Sequence, residues 1–168
     1  MTAEERNMIT LIRMTEEEFW VFRESSIADY ADDLTTGQNV SRLQAVKEAE
    51  EAFDGGLPHG LETENSFIMN IEGPNGKNVG WIWFEYDTKD NGTQQVFLCD
   101  LLIFESERRK GFASASIDAM NALAKKDGCS SSVLFVWDHN PGGIALYEKN
   151  GYRLSERGEG GSFMLKEL

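Results

Sequence analysis

The segment that decides the fold is a strand-like run followed by a basic turn: Val96-Phe97-Leu98-Cys99-Asp100-Leu101-Leu102-Ile103-Phe104, and then Arg108-Arg109-Lys110-Gly111-Phe112-Ala113-Ser114. The first run is apolar and has the length of a buried strand. After the turn, Ala113, Ile117, Met120 and Ala124 recur at helical spacing. The sequence therefore predicts a strand, a glycine-centred turn and a helix, in this order.

Such a turn can bind an anion. The first N–H groups of a helix are unpaired and lie at the positive end of its dipole. Gly111 allows close backbone approach, and Arg108, Arg109 and Lys110 add charge, which indicates a phosphorylated ligand. A basic surface turn without a ligand is the alternative. The chain has neither the spacing of a Walker loop nor a three-glycine dinucleotide fingerprint here, so a generic nucleotide site is disfavoured.

A second motif spans Asn140–Tyr152 and reads Asn-Pro-Gly-Gly-Ile-Ala-Leu-Tyr-Glu-Lys-Asn-Gly-Tyr. Together the two motifs resemble the GNAT superfamily, whose members transfer an acyl group from acyl-coenzyme A to an amine. That family carries Arg/Gln-x-x-Gly-x-Gly/Ala between a strand and a helix, and further on an Asn and a Leu-Tyr-Glu-Lys-x-Gly-Tyr/Phe run. Arg108, Gly111 and Ala113 match the first part, and the likeness covers about residues 94–157.

The resemblance implies a GNAT fold of the α/β (α+β) class: a mixed, mostly antiparallel twisted sheet of about seven strands with helices on both faces. Hydrophobic periodicity and turn signals predict the element order β-α-α-β-β-β-α-β-α-β-β, beginning with a strand over 8–13. Capping boxes at Thr15-x-x-Glu18 and Ser41-x-x-Gln44 predict the starts of the first two helices. We expect one domain over residues 1–168, which is an ordinary length for a single core.

The resemblance also assigns residues to acetyl-coenzyme A, the expected co-substrate. Its pyrophosphate would be bound by the turn and the first helical residues: Arg108, Arg109, Lys110, Gly111, Phe112, Ala113 and Ser114. Its pantetheine arm would pair with the backbone of Leu101, Leu102 and Ile103. Plain core packing is the alternative for these three apolar residues, and both roles can hold at once.

Two residues of the second motif have expected roles. Asn140 resembles the family position that helps hold the coenzyme, although an Asn before Pro-Gly is also a common helix N-cap. Tyr147 resembles the general acid that protonates the departing thiolate. Its alternative is a buried tyrosine with a satisfied hydroxyl.

The general base is harder to assign. Some family members have a glutamate five residues before the Asn, where this chain has Phe135. Asp100 lies within an apolar strand, where a carboxylate is costly unless paired or functional, so we rank it first as base or ammonium-binding group. Glu85 and His139 are further candidates. The competing explanations for Asp100 are a structural hydrogen bond and a strand that faces water there.

Composition restricts the class of protein. Of 168 residues, 29 are acidic and 16 basic, giving a net charge of −13, which argues against nucleic-acid binding. The acidic N-terminus predicts no signal peptide, and we expect neither a membrane span nor disulfides, which favours a cytoplasmic protein. His59 and His139 have no partner at metal-ligand spacing, so no metal is expected.

The sequence therefore predicts an N-acetyltransferase that transfers the acetyl group of acetyl-coenzyme A to a primary amine by direct attack, with Tyr147 as acid. A non-catalytic acyl-coenzyme A-binding sensor or interaction domain is the alternative. The expected partner is a small-molecule or peptide amine, and a homodimer is left open. Acceptor selectivity would lie in residues 15–65. Four acidic residues could hold a second positive charge of a polyamine-like substrate: Asp29, Asp32, Asp33 and Glu62.

Overall fold

The fold is described from a computed structural model, which covers residues 9–168. Its strands are β1 (Thr10–Arg13), β2 (Ser66–Glu72), β3 (Asn78–Thr88), β4 (Gln94–Ile103), β5 (Cys129–Trp137), β6 (Arg153–Gly158) and β7 (Gly161–Glu167). Its α-helices are α1 (Glu16–Gly37), α2 (Arg42–Gly56), α3 (Phe112–Lys126) and α4 (Pro141–Lys149). The expected order of elements is confirmed within these residues. The predicted start of the first strand, Met8, lies outside them.

The strands form one sheet in the order β1-β2-β3-β4-β5-β7-β6. Only the β4–β5 pair is parallel among the paired strands of residues 9–168. This pair needs a crossover, which α3 supplies. The predicted mixed, mostly antiparallel sheet is therefore confirmed.

Helices cover both faces of the sheet, as expected. Successive side chains of a strand point to opposite faces, and β3 shows this alternation. Ile82 and Phe84 pack in a core with α3, whereas Trp81 and Trp83 pack in a second core with α1 and α2. A strand apolar on both faces is thus explained by two separate cores. None of the helices described is long and apolar enough to cross a membrane.

The two predicted capping boxes form to different extents. At α1, Thr15 accepts from the Glu18 N–H, and the Glu18 carboxylate accepts from the Thr15 N–H at 2.8 Å. At α2, Ser41 accepts from the Gln44 N–H at 3.2 Å, but no return bond forms. The Gln44 side chain donates instead to Glu48, one turn further along the helix. The second capping box is therefore only half made.

The sheet opens near the middle of β4. Strands β4 and β5 pair only as far as Leu98 and Leu134 and then diverge. On the other side of β4, Trp83 pairs with Asp100 and Phe84 with Leu98, so Cys99 is the extra residue of a β-bulge. A bulge bends its strand and increases the local twist. It lies where β4 leaves β5 and leaves one backbone edge of residues 99–103 without a strand partner.

Candidate active site

The divergence of β4 and β5 opens into a cavity of about 640 Å³. Its walls come from α1, α2 and α4, from β3, β4 and β5, and from β6, β7 and the turn between them. Asp100, Leu101, Leu102, Asn140 and Tyr147 all line it. Residues expected to serve the coenzyme and the chemistry are therefore brought to one place, although they lie far apart in the sequence.

Asp100 lies beside the bulge and lines this cavity. Burial raises the pKa of its carboxyl to about 6 from 3.8, with a smaller contribution from the charge of Asp29. The Ser26 hydroxyl and the Trp81 indole N–H lie close enough to oppose the rise. The Trp81 N–H nevertheless makes no hydrogen bond of normal geometry within residues 9–168. Asp100 can therefore take up a proton near neutral pH, as a base in this position must.

Tyr147 lines the same cavity from α4. Burial and the negative charge of Asp100 raise the pKa of its phenol above the usual value, so it carries a proton at neutral pH. Its ring packs edge-on against Tyr152 at 6.0 Å between centroids. The Tyr152 hydroxyl is in turn hydrogen-bonded to Ser132 at 2.7 Å. The end of α4 is thus fixed to β5, which holds Tyr147 in position.

Asn140 forms the helix N-cap that is one of its two expected roles. Its Oδ1 accepts from the Gly143 N–H at 2.9 Å and so caps α4. It also lines the cavity. The need for a helix cap explains why an asparagine precedes Pro141. The same residue lies beside the opening between β4 and β5.

The end of β4 that has separated from β5 borders the cavity. Leu101 and Leu102 are partly exposed and line the cavity. Ile103 is buried, and its carbonyl accepts from Arg108 Nε at 3.0 Å. The structure therefore brings Leu101 and Leu102 to the cavity, while the Ile103 carbonyl anchors the turn that follows.

The basic turn joins β4 to α3. Gly111 is the N-cap of α3 and has a left-handed φ of 85°, which favours glycine. Having no side chain, it leaves the first N–H groups of α3 without a side-chain cap. Arg109 is also left-handed, with φ 62°. Phe112 is buried in the core between α3 and the sheet.

Further along α3, two residues complete the predicted coenzyme segment. Ala113 and Ser114 are both partly exposed on its first turn. Ser114 Oγ accepts from Asn150 Nδ2 at 3.0 Å, and the same amide donates to the Leu146 carbonyl. Asn150 therefore links the start of α3 to the end of α4, so the two predicted motifs are in direct contact.

Part of the positive charge at the turn is neutralised by the carboxylate of Glu107. Lys110 donates to the Glu107 carboxylate at 2.9 Å, and Lys77 donates to its other oxygen. These two hydrogen bonds hold the pKa of buried Glu107 down at about 2. Together, Lys77, Lys110 and Glu107 carry one net positive charge, and the exposed Arg109 adds another. Lys110 is therefore engaged in an ion pair with Glu107, a contact that the sequence alone did not indicate.

The other candidate bases lie in different surroundings. Glu85, on β3, does not line the cavity. His139 is hydrogen-bonded to Asp33 at 2.7 Å and stacks on Trp137. Phe135, where some family members have a glutamate, packs edge-on against Trp137 and Phe163. Among the candidates, Asp100 is therefore the carboxylate placed at the divergence of the strands.

Helix α1 supplies cavity residues that lie outside the two sequence motifs. Ser26, Asp29, Tyr30 and Asp33 line the cavity. Their spacing of three and four places them on one helix face, a signal already present in the sequence.

The other two acidic residues suggested as cation holders lie outside the cavity. Asp32 pairs with Arg42, and Glu62 pairs with Arg13. Neither side chain lines the cavity. No group of three potential metal ligands occurs among residues 9–168.

Comparisons with known proteins agree on one family. The sequence profile of the Acetyltransferase (GNAT) family matches residues 16–152. YdgE of Bacillus subtilis, named an uncharacterized N-acetyltransferase, is 30% identical over 146 residues, which are 87% of this chain and 92% of YdgE.

Solved structures agree with this match. The crystal structure of YycN from Bacillus subtilis superimposes with a TM-score of 0.83 at 26% identity, covering 89% of this chain and 95% of YycN. The PaiA N-acetyltransferase of Thermoplasma acidophilum, in complex with coenzyme A, gives a TM-score of 0.68 at 16% identity, covering 95% and 99% of the two chains. At that identity the second likeness concerns the fold alone.

Proposed function

Because this chain belongs to the GNAT acetyltransferase family and is an acyltransferase, we propose that it moves the acetyl group of acetyl-coenzyme A to a primary amine. One observation carries the proposal. The Asp100 carboxylate and the Tyr147 phenol line a single cavity where β4 and β5 separate, and the charge of Asp100 reaches Tyr147. A base and an acid within mutual electrostatic range suit a reaction that removes one proton and delivers another.

The residues present fit acetyl-coenzyme A. Its pyrophosphate would lie on the open N–H groups at the start of α3, beside Gly111, where the helix dipole favours an anion. Its pantetheine amides would pair with the unpaired β4 edge at Leu101 and Leu102. The thioester would then reach the cavity beside Asp100.

The transfer involves one bond formed and one broken at the thioester carbonyl. The amine reaches the site as an ammonium ion and must lose a proton to attack, and Asp100 accepts it directly or through a water molecule. The neutral nitrogen adds to the carbonyl carbon, forming the C–N bond. The C–S bond then breaks, and the thiolate takes the proton of the Tyr147 hydroxyl. The new C–N nitrogen then gives up its remaining extra proton, which restores the Tyr147 phenol, and Asp100 releases the first proton to solvent, so the products are an amide, free coenzyme A and one proton.

Tyr147 is a weak acid for this task because its pKa is raised. A thiolate with a conjugate acid near 8.5 takes its proton only as the C–S bond breaks. Protonation of Asp100 by the amine removes the negative charge that raises the pKa of Tyr147. The first proton transfer therefore makes the second one easier.

The experiment is release of free thiol from acetyl-coenzyme A with a panel of primary amines, read with a thiol reagent and checked by mass spectrometry of the acceptor. We expect amine-dependent release and a gain of one acetyl group. Tight acetyl-coenzyme A binding without release for any amine would favour the alternative, a non-catalytic sensor. Absence of binding in calorimetry would overturn both.

A further inference from the structure

We propose that the acceptor is a linear diamine or longer polyamine, whose second ammonium group lies between Asp29 and Asp33 on α1 while the first reacts beside Asp100. This inference rests on the proposed function and names its substrate class. Asp29 and Asp33 line the same cavity as Asp100. An acceptor with one charged end would bring no second cation to Asp29.

The charge of the cavity wall favours a cation. Its carboxylates are Asp29, Asp33, Asp100 and Glu159. No lysine, arginine or histidine lines it among residues 9–168. A cavity lined by charges of one sign concentrates ligands of the opposite sign.

Of Asp29 and Asp33, the second of which is hydrogen-bonded to His139 at 2.7 Å, Asp29 is the less neutralised. It has no ion pair within residues 9–168. Partial burial and the neighbouring charges of Asp32 and Asp33 raise the pKa of its carboxyl, and the charge of Arg108 acts in the opposite direction. An ammonium ion between Asp29 and Asp33 would relieve this repulsion.

Helical geometry and aromatic side chains shape this subsite. Asp29 and Asp33 are four residues apart, so they project from one face of α1, with about 6 Å between their Cβ atoms. Tyr30 and Trp137 lie beside them, with ring centroids 6.3 Å apart, and both line the cavity. Aromatic faces attract ammonium groups, and their apolar surface suits the methylene chain of a polyamine.

Trp83 gives a separate indication that the cavity takes a ligand. Its side chain lines the cavity although it is only 9% exposed, and its indole N–H has no acceptor among residues 9–168. A buried donor without a partner costs stability, so such donors normally find one. The carbonyl oxygen of the acetyl group is a suitable acceptor, since Trp83 pairs with Asp100 across β3 and β4.

The test compares amines that differ only in the second charge: butylamine with putrescine, and hexylamine with hexamethylenediamine. We expect the kcat/KM of at least one diamine to exceed that of its monoamine by about tenfold or more, the effect of a partly desolvated ion pair. Asp29→Asn and Asp33→Asn should each reduce this ratio, which cancels any change in rate that is common to the diamine and its monoamine. Added salt should reduce the ratio as well.

Asp32→Asn is the matched control, because it removes the same charge from the same helix at a residue that pairs with Arg42 outside the cavity. Its diamine-to-monoamine ratio should stay close to that of the wild type. An equal loss in all three variants, or equal rates for both members of both pairs, would overturn the inference and leave amine acetylation standing.

A binding measurement separates the inference from the proposed function. Titration of putrescine into the protein saturated with coenzyme A involves no turnover. Binding that weakens in Asp29→Asn but not in Asp32→Asn supports the subsite even if no amine is acetylated. Binding that is absent, or the same in both variants, refutes the subsite.

Discussion

We predict that Asp100→Asn makes the protein more stable at alkaline pH while it slows acetylation. The pKa of this carboxyl is about 6 in the folded protein, against 3.8 for an unperturbed group. Such a rise means that folding disfavours the charged form by about 3 kcal/mol. The neutral amide of asparagine avoids this cost.

The sign of the pH dependence follows from the raised pKa. Below about pH 4 the carboxyl is protonated in both folded and unfolded chains, so it carries no charge penalty. As the pH rises through 6, the folded chain must give up a proton that it holds more tightly, and stability is lost. The free energy of unfolding of Asp100→Asn relative to wild type should therefore rise by about 3 kcal/mol between about pH 4 and pH 8.

Urea unfolding at a series of pH values measures this difference, with Asp90→Asn, an exposed turn residue, as the control. Thiol release on the same samples measures the rate, which should fall by roughly 10²-fold for loss of a positioned base. The wild-type rate should also decline as the pH falls through 6. A stability difference that does not change with pH would refute the raised pKa, and an unchanged rate would make Asp100 a structural residue.

Three further changes test other parts of the site and fold. Tyr147→Phe should lower kcat by roughly 10²-fold with coenzyme affinity nearly intact, and equal turnover would assign Tyr147 to packing. Gly111→Glu should weaken acetyl-coenzyme A binding in calorimetry at least tenfold, because it adds charge and bulk at a left-handed N-cap, whereas Gly92→Glu, left-handed but open to solvent, should not. Thr15→Ala should cost about 1 kcal/mol in thermal unfolding and more than Ser41→Ala, since only Thr15 belongs to a complete capping box; equal losses would contradict this.

Local patterns explain why the order of strands and helices could be predicted. The β4 run, the glycine turn and the spacing of Ala113 and Ile117 each depend on neighbours in sequence, as do the caps at Thr15 and Ser41. The form of the sheet and the ligand expected at the turn followed from the family resemblance, which depends on two motifs occurring in the right order. Local signals of this kind are strong whenever the pattern is long and regular.

The cavity wall could not be predicted to the same extent, because it depends on contacts between distant residues. Asp29 and Asp33 face the end of β4 only once α1 has packed across the sheet. The bulge at Cys99 leaves no mark in an apolar run, since the pattern does not show which residue lacks a partner. The pairing of Lys110 with Glu107 could not be predicted either, because several other charged residues lie equally close in the sequence.

The divergence of β4 and β5 has a consequence for the lifetime of the protein. Beyond Leu98 and Leu134 the two strands stop bonding to each other, so the sheet has an internal gap that a bound pantetheine chain would close. A ligand that binds only the folded chain stabilises it, by about 2.7 kcal/mol at a concentration one hundred times its Kd. Slower local opening then means slower proteolysis. The abundance of this protein would in that case rise and fall with the supply of its own acetyl donor.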